Sequence, residues 1–136
     1  MIVAYCQEIF DKAIFLKSIG AELIAASEGS CIIRLKINQS HHQQDGFVHA
    51  GVQSTLADHS CGTAVGSLLS VGQLPLSIEF KINFLRPCSG DFLEARSKVI
   101  KHGRKISIAE CDVFAITDDK EVMTAKMMAT MAVVER

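Results

Sequence analysis

Asp58 is the one carboxylate in a long run of apolar and very small side chains, His49-Ala50-Gly51-Val52-Gln53-Ser54-Thr55-Leu56-Ala57-Asp58-His59-Ser60-Cys61-Gly62-Thr63-Ala64-Val65-Gly66-Ser67-Leu68. Such a group must find hydrogen-bonding partners or line a cavity, because isolated burial of charge is very unfavourable. A carboxylate held in that way can act as a general base or as a nucleophile. The spacing of Ala57, Cys61, Ala64 or Val65, and Leu68 predicts a helix with an apolar face. Gln53, Ser60 and Ser67 repeat every seven residues and form a polar stripe. At about 100° per residue, Asp58 lies roughly 140° from Gln53 and roughly 160° from Ser60. It is therefore expected to point away from the stripe, over Gly62, Val65 and Leu69.

The beginning of the same helix is the second chemical feature. A first turn offers unpaired backbone N–H groups along the axis, suited to a developing oxyanion. Because the donor is backbone, Ala50 can supply it as readily as glycine. Gly51 leaves room either for a ligand or for close packing of helix on sheet. Gln43, His49, Ala50, Gly51 and Asp58 thus form the main constellation. Gly51 and Asp58 are seven residues apart, roughly 10 Å along a helix at about 1.5 Å per residue. One helix cannot easily wrap both around a single carbonyl. Two antiparallel helices from two subunits can, which predicts a two-fold homodimer with two composite sites.

Other chemistries are poorly supported. His41, His42, His49 and His59 with Asp58 offer metal-donor types, but in no recognised zinc spacing, so no metal is expected. No Gly-x-Ser-x-Gly elbow is present for a serine triad. Cys61 reads as an apolar filler, because nothing nearby marks it as a nucleophile. The five cysteines, Cys6, Cys31, Cys61, Cys88 and Cys111, are odd in number and lack paired spacing. They read as core side chains in a reducing compartment.

The positioning elements follow from periodicity and turn residues. A short helix is predicted from about Cys6 to Ile19, ended by Gly20. Strands are predicted at Ala21 to Ala26 and Ser30 to Ile37, a loop at Asn38 to Phe47, then the long helix. Gly72 and Pro75 punctuate the chain before a strand at Leu76 to Leu85, in which Ile78, Phe80, Ile82 and Phe84 share a face. Further strands are predicted at Asp91 to Ile100, Ile106 to Thr117 and Val122 to Val134. Lys101-His102-Gly103-Arg104-Lys105 forms a basic hairpin tip between the first two of these. In the last strand Met123, Ala125, Met127, Ala129, Met131 and Val133 alternate, while Met128 and Val134 add apolar surface to the opposite face. That second apolar face is expected to favour assembly. With 136 residues and 49% hydrophobic content, the chain fits a single domain, 1–136. The expected architecture is α+β, a six-stranded antiparallel sheet wrapped around one long central helix. A net charge of -1 gives no field for nucleic acid. No transmembrane stretch and no leader are read, so a cytoplasmic protein is expected.

Gln43, His49-Ala50-Gly51, Leu56-Ala57-Asp58 and Ser77-Ile78-Glu79-Phe80-Lys81-Ile82-Asn83-Phe84-Leu85-Arg86-Pro87 together resemble the hotdog-fold acyl-CoA thioesterases of the phenylacetyl-CoA thioesterase type. The resemblance implies hydrolysis of an acyl-CoA to a free acid and coenzyme A, between subunits, often in a homotetramer built as a dimer of dimers. It implies Asp58 as general base or nucleophile, the Ala50 N–H as oxyanion donor, and Gln43 positioning water or the acyl group. His49 would orient the helix entrance and Ser77 would supply a hydroxyl close to the carboxylate. Members usually carry His-Gly-Gly where this chain has His49-Ala50-Gly51, and many have asparagine where Gln43 stands. Arg86, Arg104 and Lys105, with Gly103 shaping the hairpin, are candidates for the phosphates of coenzyme A. Coenzyme A would be part of the substrate, and no retained cofactor is implied. The competing readings are a non-catalytic hotdog module binding acyl-CoA or a small aromatic ligand, and a 3-hydroxyacyl thioester dehydratase.

Overall fold

A computed structural model describes all residues from Met1 to Arg136. The predicted amino-terminal helix is two helices, α1 (Ala4–Asp11) and α2 (Ile14–Ser18). The break at Lys12 and Ala13 has a packing cause. Cys6 and Phe10 of α1 turn toward the central helix, where Phe10 meets the His59 ring edge-on at 5.5 Å, while Leu16 of α2 is buried beside the first strand. A straight helix could not present both sets of side chains.

The remaining order is β1 (Ala21–Ser27), β2 (Ser30–Lys36), a single 3-10 turn (Gln39–His41), α3 (Ala50–Gly66), β3 (Gln73–Phe84), β4 (Phe92–His102), β5 (Ile106–Thr117) and β6 (Lys120–Glu135). One antiparallel sheet runs β1-β2-β4-β5-β6-β3, with α3 lying across its inner face. This is the six-stranded hotdog arrangement expected from the sequence. Pro75 does not precede β3 but lies inside it, paired with Val133. The strand tolerates a residue without an N–H because β3 is the sheet edge.

The rotation of α3 decides what its polar stripe meets. Gln53, Leu56, Ala57, Ser60, Cys61, Ala64 and Val65 are buried, so the polar stripe faces the sheet. Both hydroxyls of that stripe are paired. Ser60 Oγ and Ser97 Oγ lie 2.7 Å apart, and Ser97 Oγ donates to Ser60 O at 2.8 Å. Ser67 Oγ accepts from the Gly29 N–H at 2.8 Å. Val65, expected beneath Asp58, is instead fully enclosed in the core.

Two β-bulges redirect side chains that simple alternation misplaces. Ser77 pairs with Met131 and Glu79 with Thr130, so Ile78 is an extra residue. Ser77, Phe80, Ile82 and Phe84 consequently share the helix-facing side, because each opposes a buried residue of β6. In β6, Val113 pairs with Ala125 and Phe114 with Met123, making Thr124 the extra residue. Thr124 is fully buried, and Met123 leaves the inner alternation that its spacing predicts. Bulges insert one residue and re-aim those beside it.

All five cysteines are free and buried, as core side chains should be. The outer face of the sheet is mainly ionic. Arg34 and Arg96 both hold Glu94, and Arg96 also reaches Glu121. Lys98 and Lys126 meet Glu110, and Lys126 also meets Asp112. Met128 is an apolar residue within this charged surface rather than part of a continuous apolar face.

The β4–β5 tip depends on Gly103, whose N–H donates to Ile106 O at 2.9 Å. A Cβ there would lie 2.3 Å from that same oxygen. Gly103→Ala is expected to destabilise the chain by about 1–3 kcal/mol, the range for a backbone forced from its native turn. Urea unfolding checks this, and an unchanged midpoint would contradict the close approach.

Candidate active site

Asp58 projects from the middle of α3 away from the sheet-facing stripe. Its Oδ1 accepts a hydrogen bond from Ser77 Oγ at 2.6 Å. The bulge at Ile78 makes that contact possible by turning Ser77 toward the helix. That bond leaves Oδ2 without a partner in the chain. Asp58 and Ser77 line a cavity of about 190 Å³, together with Ile9, Gly62, Leu74 and Met131. Tyr5, His59, Thr63 and Arg136 supply further polar surface there. None of those four was singled out as a cavity residue by sequence, because α1 and the end of β6 meet α3 only through tertiary packing.

The start of α3 faces a different space. His49 is the N-cap, and its Nδ1 accepts from the Gly51 N–H at 2.7 Å. The Val52 and Gln53 N–H groups both reach His49 O, at 3.0 and 3.3 Å. Only the Ala50 N–H of this first turn has no acceptor within the chain. The expectation that Gly51 opens space for a ligand is changed by its neighbour. A Cβ on Gly51 would lie 2.9 Å from His49 Nδ1, so the missing side chain accommodates the imidazole.

His49, Ala50, Gln43, Gln53 and Arg86 border an open groove of about 620 Å³, whose apolar surface includes Phe47 and Phe84. Gln43 Oε1 accepts from the Asp45 N–H at 2.5 Å and the Phe47 N–H at 3.3 Å, closing its own loop. Its Nε2 has no partner in the chain. Arg86 donates to Met123 O at 2.7 Å, so part of its guanidinium is committed to the fold. Gly103, Arg104 and Lys105 lie at the β4–β5 tip and border neither space. His41 is buried, with Nδ1 accepting from the Asn38 N–H and Nε2 donating to Ile19 O. Both ring nitrogens are therefore engaged by backbone.

Within one chain the predicted site is split. Asp58 and Ser77 border one cavity, Gln43, His49 and Ala50 border the other, and no residue borders both. The eight residues from Ala50 to Asp58 span roughly 12 Å of helix at about 1.5 Å each. That separation exceeds what one reacting carbonyl can bridge.

A family model described as "Thioesterase superfamily" matches residues 45–122, a stretch that contains α3 and all of β3, β4 and β5. A thioesterase family protein from Silicibacter pomeroyi is 31% identical, with a TM-score of 0.94 and 97% of each chain covered. The 1,4-dihydroxy-2-naphthoyl-CoA hydrolase of Listeria monocytogenes is 24% identical over 117 residues, covering 86% of this chain and 93% of that protein. The PaaI protein from the phenylacetic acid degradation operon of E. coli shares the fold, with a TM-score of 0.85 at 19% identity, covering 96% of this chain and 91% of its own.

Two measurements probe this geometry. Gly51→Ala must displace the His49 ring, while alanine in a helix gains up to about 1 kcal/mol over glycine. Thermal stability is expected to change little while the His49 Nδ1 signal in nitrogen NMR shifts on loss of its donor. An unshifted signal would contradict the contact.

The second concerns His59, whose Nε2 is buried without a partner. Burial pushes its pKa below the ordinary imidazole value, and the nearby Asp58 carboxylate opposes that only in part. The unfolded chain therefore takes up this proton more readily than the folded one. Stability is expected to be full above pH ~6.5 and to fall as pH drops below it toward the folded pKa. His59→Phe should flatten urea midpoints between about pH 6.5 and 5, and an unchanged slope would refute the assignment.

Proposed function

The chain belongs to the thioesterase superfamily, and on that premise we propose that it hydrolyses an acyl-CoA to a carboxylic acid and coenzyme A at sites shared between two subunits. The observation that carries this reading is the division of the machinery within one chain. Asp58, held by Ser77, lies in one cavity, while the open Ala50 N–H lies beyond reach at the helix start. A two-fold axis that sets two α3 helices antiparallel brings each Asp58 beside the partner's first turn.

The sheet edge supports such an axis. β3 leaves Leu76, Ile78, Phe80, Phe84 and Leu85 each more than 40% exposed, with one backbone edge unpaired. Long apolar edge strands demand covering. Pairing β3 with its copy covers that edge and carries Ser77 and Asp58 to the interface. A tetramer formed from two such dimers is the further assembly we propose.

In this reading Asp58 takes the proton of a water attacking the thioester carbon, or attacks that carbon itself. The carbonyl electron pair moves to oxygen, which the Ala50 N–H stabilises. Collapse breaks the C–S bond. On the water route the coenzyme A thiolate recovers the proton from Asp58; on the direct route it takes a proton from solvent, and water then hydrolyses the Asp58 acyl anhydride to the free acid and the carboxylate. His49 fixes the helix entrance by occupying the Gly51 N–H. Gln43 offers its free Nε2 to the water or the acyl group. Arg86 and the Gly103-Arg104-Lys105 tip are the cations available for the coenzyme A phosphates, and the apolar walls around Asp58 and Phe84 receive the acyl chain. The aromatic acyl-CoA named for the Listeria relative makes aromatic thioesters the first substrates to try.

Free-thiol release from a panel of acyl-CoAs tests the reading. Asp58→Asn is expected to lower the rate at least about 100-fold with an unchanged unfolding midpoint. Equal turnover by both proteins would remove Asp58 from the chemistry. Coenzyme A ester binding without turnover by the unsubstituted chain would replace the hydrolase with a binding module.

A further inference from the structure

Gln53 occupies the first turn of α3, three residues after Ala50 and four after His49, and borders the same groove as both. It is only 4% exposed. Its Oε1 accepts from Thr124 Oγ1 at 2.9 Å. Thr124 is the extra residue of the β6 bulge and is fully enclosed, so that bond fixes the direction of the carboxamide. The opposite end, Nε2, has no acceptor in the chain, yet it is not sealed away from the groove as the unpaired His59 Nε2 is from its surroundings. Burying a donor without a partner is unfavourable, and the groove that Gln53 borders is the one that Ala50 borders too.

We propose that Gln53 is a further catalytic residue, whose Nε2 donates with the Ala50 N–H to the thioester oxygen as it becomes an oxyanion, and that Thr124 is the positioning residue that aims it. This rests on the hydrolase reading above and deepens it. The backbone supplies one open N–H in the first turn, because His49 Nδ1 takes that of Gly51 and His49 O takes the next two. An oxyanion has lone pairs for more than one donor, and a second donor must come from a side chain. Gln43 and Arg86 also border the groove, but Gln43, whose Nε2 is free as well, lies half-buried on the loop before the helix, and Arg86 is exposed with its guanidinium drawn to Met123 O. Gln53 combines burial, a fixed partner and a free donor. Preorganised donors of that kind require no reorientation as charge develops.

In the step itself, water oxygen bonds to the thioester carbon and its proton passes to the partner's Asp58. The C=O π pair moves onto oxygen, which accepts from Ala50 N–H and Gln53 Nε2–H. Return of that pair breaks the C–S bond, and the departing thiolate takes the proton back from the carboxylic acid. Gln53 neither gains nor loses a proton.

Steady-state kinetics on the assembled protein, with the acyl-CoA that the panel selects, provide the test. Gln53→Leu is expected to lower kcat about 100-fold while KM changes less than about threefold, as for loss of one oxyanion donor. Gln53→Glu, which has the same shape but offers a carboxylate, is expected to lose more than Gln53→Leu. Thr124→Val is expected to lose about tenfold in kcat, and Thr124→Ser, which keeps the hydroxyl, to recover most of it. A kcat for Gln53→Leu within about threefold of the parent, in an enzyme that Asp58→Asn inactivates, overturns the Gln53 role and leaves the hydrolase reading intact. No turnover by the unsubstituted chain overturns that reading itself. Should Gln53→Leu fail to fold, equal kcat values for Thr124→Val and Thr124→Ser overturn the proposal.

Discussion

The structure depends on how α3 is rotated against the sheet. Leu56, Ala57, Cys61, Ala64 and Val65 are wholly enclosed on that face, and burying a large side chain such as Leu56 contributes about 1.5–3 kcal/mol. Ser60 lies within the same face and can remain there only because Ser97 meets its hydroxyl. Leaving that hydroxyl unpaired in the core would cost about 1–3 kcal/mol. Apolar burial and polar pairing thus select one rotation of the helix. Once it is chosen, Asp58 has to emerge beside the β3 edge, where Ser77 meets it, and Gln53 has to meet β6.

Two bulges bring strand side chains to the polar groups of the helix so rotated. Without the extra Ile78, Ser77 would face outward and the Asp58 carboxylate would lack its donor. Without the extra Thr124, the last strand would place an alternating methionine where the Gln53 carboxamide now finds a hydroxyl. Each bulge lies where a strand meets a polar group of α3. Sheet irregularities beside functional groups commonly re-aim a side chain in this way. The cost in ladder regularity is local, whereas the orientation gained extends to the cavity.

Much of this was legible in the sequence, and its boundaries show why the rest was not. Period-two alternation located β2 and β5 closely, since both are ordinary strands with one face in the core. Asp58 stood out because charge on an otherwise small and apolar helix is costly. Spacing shows Gln53, Ser60 and Ser67 as one polar stripe, and only Thr124, Ser97 and Gly29 reveal that it is satisfied inside. Those partners are distant in sequence, so no local pattern encodes them. Ser77 shows the same limit, because alternation places it opposite Phe80 until the pairing with β6 introduces Ile78 as an extra residue. Gly51 admits either a ligand or close helix–sheet packing by sequence, and what a Cβ there would meet is the imidazole two residues before it.

The two faces and the edge of the sheet also divide their tasks physically. On the outer face, Arg34, Arg96, Lys98 and Lys126 balance Glu94, Glu110, Asp112 and Glu121 across neighbouring strands. Exposed pairs of this kind add little stability individually, yet they keep that surface polar and make it a poor template for nonspecific apolar association. The β3 edge has the opposite character, with Phe80 and Phe84 uncovered and a full backbone ladder open. That edge lies beside Asp58, through Ser77, and Asp58 itself lies far from the start of α3. In the dimer proposed above, covering that edge and bringing Asp58 to the partner's helix start would be a single event.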